Sequence, residues 1–145
     1  MIYLVGGEGE YGEVISSVEL YDPQAASWTQ RAGMTGARSS PGCVALDGKL
    51  YAVGGLGATS QPLDTAEVYD PQTDGWQPLA KMTTKRREFG LAAVGGKVYA
   101  IGGWDGESRL DSVEAYDPQL GAWAVVASMN VERDCLLYTS PSPRD

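Results

Sequence analysis

The 145-residue chain contains no histidine, only two cysteines and no long apolar run. Without histidine, Ser-His-Asp triads, histidine general acids or bases and nearly all zinc and copper sites are excluded. Cys43 and Cys135 are too few for a disulfide framework. No apolar run in the sequence reaches the roughly 18–20 residues that a membrane span needs. The apolar residues 1–5 are also too few for the core of a signal peptide. We therefore expect a cytoplasmic protein that does not use a membrane as its partner.

Positive charge is also scarce. Lys and Arg number 11 against 19 Asp and Glu, which gives a formal net charge of −8. Such a surface repels phosphates, so we expect no nucleic acid partner. The segment Trp104-Asp105-Gly106-Glu107 superficially suggests a calcium loop, but it lacks the spaced acidic ligands that calcium needs. The sequence therefore predicts no metal site and no cofactor.

Glycine, by contrast, is abundant, with 19 residues, and part of it recurs in pairs at a fixed spacing. Gly6-Gly7, Gly54-Gly55 and Gly102-Gly103 each end an apolar run and lie 48 residues apart. Other residues recur in the same order, with one deletion before the third tyrosine: Tyr21, Tyr69 and Tyr116; Trp28, Trp76 and Trp123; Met34, Met82 and Met129; Arg38, Arg86 and Arg133. Recurrence of this kind identifies three copies of one structural unit.

Each unit predicts four short antiparallel strands, A to D. Asp47-Gly48 and Gly95-Gly96 are type I′ hairpin signals between strands A and B. The glycine pair after strand B fits positive φ or a close backbone approach. Asp-Pro after each repeated tyrosine ends strand C, and each repeated tryptophan opens strand D and is expected to pack between neighbouring sheets. Cys43 is expected to be buried, because Leu91 occupies its position in the next copy.

The paired glycines, the Tyr-Asp-Pro, the spaced tryptophan and the Met-x-x-x-Arg together resemble the kelch repeat, over residues 2 to about 133. The resemblance implies an all-β, kelch-type β-propeller, in which four-stranded antiparallel blades surround a channel. Kelch rings typically have six blades, and this chain carries about three, so we expect an incomplete ring. The predicted blades span residues 1–33, 34–81 and 82–128, and the next begins at 129–134.

The C-terminal residues depart from the repeat. Strand A of a fourth blade should place glycine near position 137, as at Gly42 and Gly90, but Leu137 stands there. We interpret residues 135–145 as a non-native tail, because they resemble the translated adapter sequence that ends many metagenomic gene fragments. The alternative is a native tail that supplies strand A to the first blade. A further alternative is a homodimer that closes a six-blade ring.

The predicted binding face consists of the B–C loops and the D–A segments. The B–C loops, about residues 8–17, 56–64 and 104–111, differ in sequence while the strands around them repeat, as is typical of a binding surface on a rigid scaffold. Trp104 stands outside the periodic tryptophans and is the predicted hot spot. Arg87 has no arginine counterpart in the other copies and is a candidate for selectivity. Tyr11 and Arg109 are further candidates.

The recurring arginines Arg38, Arg86 and Arg133 allow two interpretations. In kelch adaptor proteins, which this chain resembles, the arginine that opens strand A can line the central pocket and bind acidic peptide groups through bidentate hydrogen bonds. The alternative is a structural role, in which each arginine pairs with a carboxylate of the adjacent blade. Because structural positions are the ones that repeat, both interpretations stay open at this point.

The resemblance implies a protein-interaction module without enzymatic activity. Its partner would be a protein or peptide with acidic groups, as for a substrate adaptor of a ubiquitin ligase or an actin-binding protein. The alternative is a fragment of a kelch-like carbohydrate-active enzyme such as a sialic-acid epimerase, which could use arginine, glutamate and tyrosine in the channel.

Overall fold

A computed structural model describes residues 1–135 of the chain. This range contains β-strands and no helix, so no helix in it is long and apolar enough to cross a membrane. The strands are β1 (Ile2–Glu8), β2 (Val14–Asp22), β3 (Ser27–Arg31), β4 (Gly42–Leu46), β5 (Lys49–Val53), β6 (Ala66–Asp70), β7 (Gly75–Pro78), β8 (Gly90–Val94), β9 (Lys97–Trp104), β10 (Arg109–Asp117) and β11 (Ala122–Val126). Most of the residues predicted to form a non-native tail lie outside the described range.

The strands form three antiparallel sheets, each a simple meander. Their orders are β1-β2-β3, β4-β5-β6-β7 and β8-β9-β10-β11, and we call them blades 1, 2 and 3. Blade 1 contains strands B, C and D, while blades 2 and 3 contain all four strands, as the phase of the repeat predicts. The expectation of an all-β, incomplete kelch-type propeller is therefore confirmed.

The predicted turns follow from backbone sterics. Asp47 and Gly48 between β4 and β5 both have positive φ, at 50° and 74°, as a type I′ turn requires. In the glycine pair after β5, Gly54 has φ +57°, and a Cβ built on it would lie 2.6 Å from the carbonyl oxygen of Arg86. Glycine is needed there because the D–A segment entering the next blade passes directly over the end of β5.

The blades pack through apolar side chains and through the repeated tryptophans. Between blades 2 and 3, one cluster includes Val53, Met82, Val98, Ala100 and Tyr116. Between blades 1 and 2, the equivalent cluster is formed by Val18, Met34, Ala52, Tyr69 and Trp76. The tryptophans also carry a directional contact: the indole N–H of Trp76 donates to the carbonyl of Ala32 at 2.9 Å, and that of Trp123 donates to Ala80 at 2.8 Å. Each of these two tryptophans therefore fastens its blade to the preceding one.

Two predictions of burial are wrong. Trp28 is 53% exposed, and its ring lies 5.0 Å from that of Tyr21 in its own sheet. Residues 1–135 contain no blade before blade 1 on which it could pack. Cys43 is also exposed, whereas Leu91 at the equivalent position is buried against β4. Leu91 on β8 packs on β4 of the preceding blade, whereas blade 1, which precedes β4, has no strand A in the described range to pack on Cys43.

Candidate functional site

Two of the recurring arginines lie inside the scaffold. Arg38 is 2% exposed and Arg86 is 0% exposed. The Nη2 atom of Arg86 lies 3.0 Å from Oε2 of Glu114, and its Nη1 donates to the carbonyls of Gly102 and Ser112. Arg38 repeats this arrangement with Glu67. Buried guanidinium groups with these hydrogen bonds cannot be presented to a partner, so for these two residues the structure agrees with the structural interpretation.

Each of these arginines joins two blades. The backbone of Arg86 belongs to blade 2, since its N–H donates to Leu63 and its carbonyl accepts from Gly55. Its side chain, however, reaches Glu114 on β10 of blade 3. The backbone of Arg38 is bonded to blade 1 and its side chain to blade 2 in the same manner. The sequence reasoning missed the two partners, although Glu19, Glu67 and Glu114 recur with the same period as the arginines.

The surroundings of the two ion pairs shift the pKa values of Glu67 and Arg86. Burial tends to raise the pKa of Glu67, but hydrogen bonds from Thr35 and Arg38 outweigh it and hold that pKa below its ordinary value. Burial lowers the pKa of Arg86, and the hydrogen bond to Glu114 partly offsets this effect. The lowered pKa favours the ionised form of Glu67, the form that pairs with Arg38.

Arg133 is placed differently. Its backbone repeats the pattern of Arg86, because its N–H donates to Leu110 and its carbonyl accepts from Gly103. Its side chain is exposed and makes no hydrogen bond or ion pair with residues 1–135. Among residues 1–135, Arg133 therefore has no glutamate partner of the kind that Arg38 and Arg86 have.

Three predicted binding residues, Arg87, Trp104 and Arg109, lie side by side where strands β9 and β10 of blade 3 meet their connecting turn. Trp104 ends β9 and Arg109 begins β10, and the two are paired across the strands. Their predicted place in a loop is therefore wrong. Residues 105–108 form a tight turn in which Oδ1 of Asp105 accepts the N–H groups of Glu107 and Ser108, which shortens the loop. Arg87 joins Trp104 through two backbone hydrogen bonds, of 3.0 and 2.9 Å.

Next to this row lies a concave surface between blades 2 and 3. One cavity of about 160 Å³ contains Arg87 and Trp104 in its wall. It adjoins a larger groove of about 430 Å³, and the two share Gln61 and Gly106. The remaining residues of the two walls are Ser60, Pro62, Thr83, Thr84, Lys85, Asp105 and Glu107. Gln61, which lies in both walls, was not predicted as a binding residue, although it belongs to the B–C loop that the sequence marks as variable.

The charges along this surface are partly paired. Nη1 of Arg87 lies 3.6 Å from Oε1 of Glu88, and Nε of Arg109 lies 3.0 Å from Oδ1 of Asp134. The hydrogen bond to Asp134 raises the pKa of Arg109. Hydrogen bonds from the backbone of Ser108 and Glu107 lower the pKa of Asp105.

Lys85 is exposed in the larger groove and has no ion-pair partner among residues 1–135. Tyr11, 89% exposed, lies apart in the β1–β2 loop of blade 1.

Sheets, junctions and loop surface together define an arc of a β-propeller. The family model for the Kelch motif matches residues 1–35, 37–83 and 85–130, so the chain belongs to the kelch-repeat family. It is also similar to the solved structure of YjhT, with a TM-score of 0.77 and 18% sequence identity. That similarity covers 91% of this chain and 50% of the other, so this chain spans about half the length of that structure. No curated protein matches the chain.

Proposed function

We propose that this kelch arc is a protein-binding module without catalytic activity, and that it holds its partner on the surface between blades 2 and 3. The observation that carries the proposal is the placement of Arg87 and Trp104 in the wall of one cavity. Both residues lie outside the repeating set, and this supports the proposal because their side chains are not needed for the repeated scaffold.

The scaffold at this position is constant while the side chains differ. Ser39 and Leu56 form the same bridge between blades 1 and 2 that Arg87 and Trp104 form between blades 2 and 3. Because the bridge uses backbone groups, its side chains are free to vary without loss of the fold. A rigid backbone that presents different side chains at each junction is suited to recognition.

The chemistry of the surface favours an acidic segment with an apolar anchor. A partner carboxylate can displace Glu88 from Arg87, since charge-assisted bidentate hydrogen bonds are stronger than a 3.6 Å contact. Lys85 supplies a second cation in the adjoining groove. Trp104 is half-buried and offers a rigid ring of the kind that dominates binding energy at interfaces. The proposal includes two roles for the partner protein: the substrate of a ubiquitin ligase, for which this chain would be the adaptor, or actin.

A phage-displayed library of random peptides tests the proposal. Peptides selected on the full chain should be enriched in Asp and Glu beside an aromatic or aliphatic residue. Selection on the Arg87→Ala/Trp104→Ala variant should enrich a different set. If both proteins enrich the same peptides, the binding surface lies elsewhere on the molecule.

A further inference from the structure

We propose that the surface between blades 2 and 3 selects an extended peptide segment in which a basic residue stands between two acidic residues, next to an apolar one. The inference rests on the protein-binding function proposed for this surface, and it defines the partner more narrowly. It follows from the charges that the two blades contribute and from the spacing of the cations on blade 2.

Blade 2 supplies the cations of the surface. Lys85 lies in the wall of the larger groove and Arg87 in the wall of the adjoining cavity. Both belong to residues 79–89, which link β7 of blade 2 to β8 of blade 3. Arg86, between them, is completely buried, whereas Lys85 is exposed and Arg87 is half-buried. In extended backbone such alternating residues share one side, so the two cations lie about 6.6 Å apart along the chain.

The linking segment is held firmly by the scaffold. The N–H groups of Thr83 and Thr84 donate to the buried carboxylate of Glu114, at 2.7 and 3.2 Å. Arg87 exchanges two backbone hydrogen bonds with Trp104. The backbone that carries the two cations is therefore fixed before a partner binds, which lowers the entropic cost of binding.

Blade 3 supplies the anions of the surface. The turn between β9 and β10 places Asp105 and Glu107 in the wall of the groove that also contains Lys85. Hydrogen bonds from the backbone of Ser108 and Glu107 hold the pKa of Asp105 below its ordinary value and favour its carboxylate form. Within residues 1–135, neither acid forms an ion pair with Lys85. The groove is therefore open to a ligand that pairs with charges of both signs.

The equivalent positions between blades 1 and 2 carry no cation. Ala37 stands at the position of Lys85, and Ser39 stands at the position of Arg87. Ser39 is buried, and its hydroxyl donates to Glu8 at 3.0 Å. The repeated scaffold therefore forms without the two cations, which leaves them available for recognition.

An extended segment matches this arrangement of charges. Its side chains alternate between two sides, with a rise of about 3.3 Å per residue, so two residues separated by one other have the spacing of Arg87 and Lys85. The residue between them points to the side of blade 3, where Asp105 and Glu107 lie. The residue on the other side of the first acid also points there, toward Trp104. Along the surface from Trp104 to Lys85, the order is apolar, acidic, basic, acidic.

Two peptides of identical composition test this order, with titration calorimetry on the full chain. Phe-Asp-Lys-Asp-Phe presents the proposed order in both chain directions, and Phe-Asp-Asp-Lys-Phe breaks it in both. We expect the first peptide to bind at least about tenfold more tightly, because the second places like charges together on both sides of the surface.

Variants of the chain assign the preference to particular charges. Lys85→Ala and Glu107→Gln should each lower the ratio of the two affinities by about threefold or more, since each removes one charge that distinguishes the peptides. The matched controls are Lys81→Ala and Glu10→Gln, at exposed positions outside the walls of the groove and the cavity. Both controls should keep the wild-type ratio.

The outcomes separate the order of charges from the binding surface itself. Equal affinities for the two peptides, both weakened in Arg87→Ala/Trp104→Ala, would overturn the order and leave the surface standing. A preference that survives Lys85→Ala and Glu107→Gln would also overturn it. Binding that the Arg87→Ala/Trp104→Ala variant does not weaken, or no binding of either peptide, would overturn the surface together with the order.

Discussion

The guanidinium of Arg86 lies 3.0 Å from the carboxylate of Glu114, and neither side chain is accessible to water. Arg38 and Glu67 repeat this relationship one blade earlier, with both side chains 2% exposed. In each pair the arginine backbone belongs to one blade and the glutamate to the next. The pairs therefore act as joints between blades, which leaves recognition to the side chains around them.

The first prediction concerns removal of one partner from such a joint. Arg86→Ala should destabilise the fold by about 3–5 kcal/mol, because Glu114 is left as a buried charge without its cation. The free energy of unfolding from urea denaturation measures the change. The matched control is Lys49→Ala, which removes a surface ion pair of 3.7 Å and should cost less than about 1 kcal/mol. Equal losses for both variants would contradict a special role for the joint.

The second prediction concerns acid. Because hydrogen bonds hold the pKa of Glu67 below its unfolded value, this carboxylate stabilises the fold above the unfolded pKa, which is about 4.3. That stabilisation is lost as the pH falls through the lower pKa of the folded state. Glu67→Gln should therefore flatten the fall in stability below about pH 4.5. Glu10→Gln, at an exposed loop position, should keep the wild-type profile when thermal unfolding is followed against pH.

The third prediction separates two reasons why a position requires glycine, which are a positive φ angle and a close approach of another backbone segment. Gly54 and Gly95 have nearly the same φ, +57° and +59°, so alanine suffers similar backbone strain at both, about 1–2 kcal/mol. A Cβ at Gly54 would also meet the carbonyl oxygen of Arg86 at 2.6 Å, while a Cβ at Gly95 meets nothing within 4 Å. Gly54→Ala should therefore destabilise the protein by at least about 1 kcal/mol more than Gly95→Ala. Equal costs would show that strain alone requires the glycine.

The sequence could predict the parts of the fold that depend on neighbours within one repeat. The Asp47-Gly48 and Gly95-Gly96 turns have the positive φ angles that their residues indicate, because turn conformation is a local property. The four-stranded unit follows for the same reason, since its strands are adjacent in the chain. Burial at the ends of the arc could not be predicted in this way. Trp28 and Trp76 are equivalent in sequence, yet within the part of the chain that the structure describes only Trp76 has a preceding blade to pack on.

The candidate site was partly predictable. Arg87 and Trp104 stand out because they break the repeat, and they do lie together. For Arg38 and Arg86, periodicity alone does not distinguish an arginine that lines a binding pocket from one that joins two blades. Glu67 and Glu114 recur with the same period as these arginines, and this shared period indicates the structural pairing. Their pairing brings together residues 28 or 29 apart in the chain, on different elements, and so depends on the packed sheets.

The most direct test of the proposed binding surface is the dissociation constant of one selected acidic peptide, measured by titration calorimetry. We expect Trp104→Ala and Arg87→Ala each to weaken binding by about 2 kcal/mol or more, the loss typical of interface hot spots. Leu120→Ala, at an exposed apolar residue between β10 and β11, should bind the peptide as the wild type does. Unchanged affinity in the first two variants, with the fold intact, would contradict a binding site on the surface between blades 2 and 3.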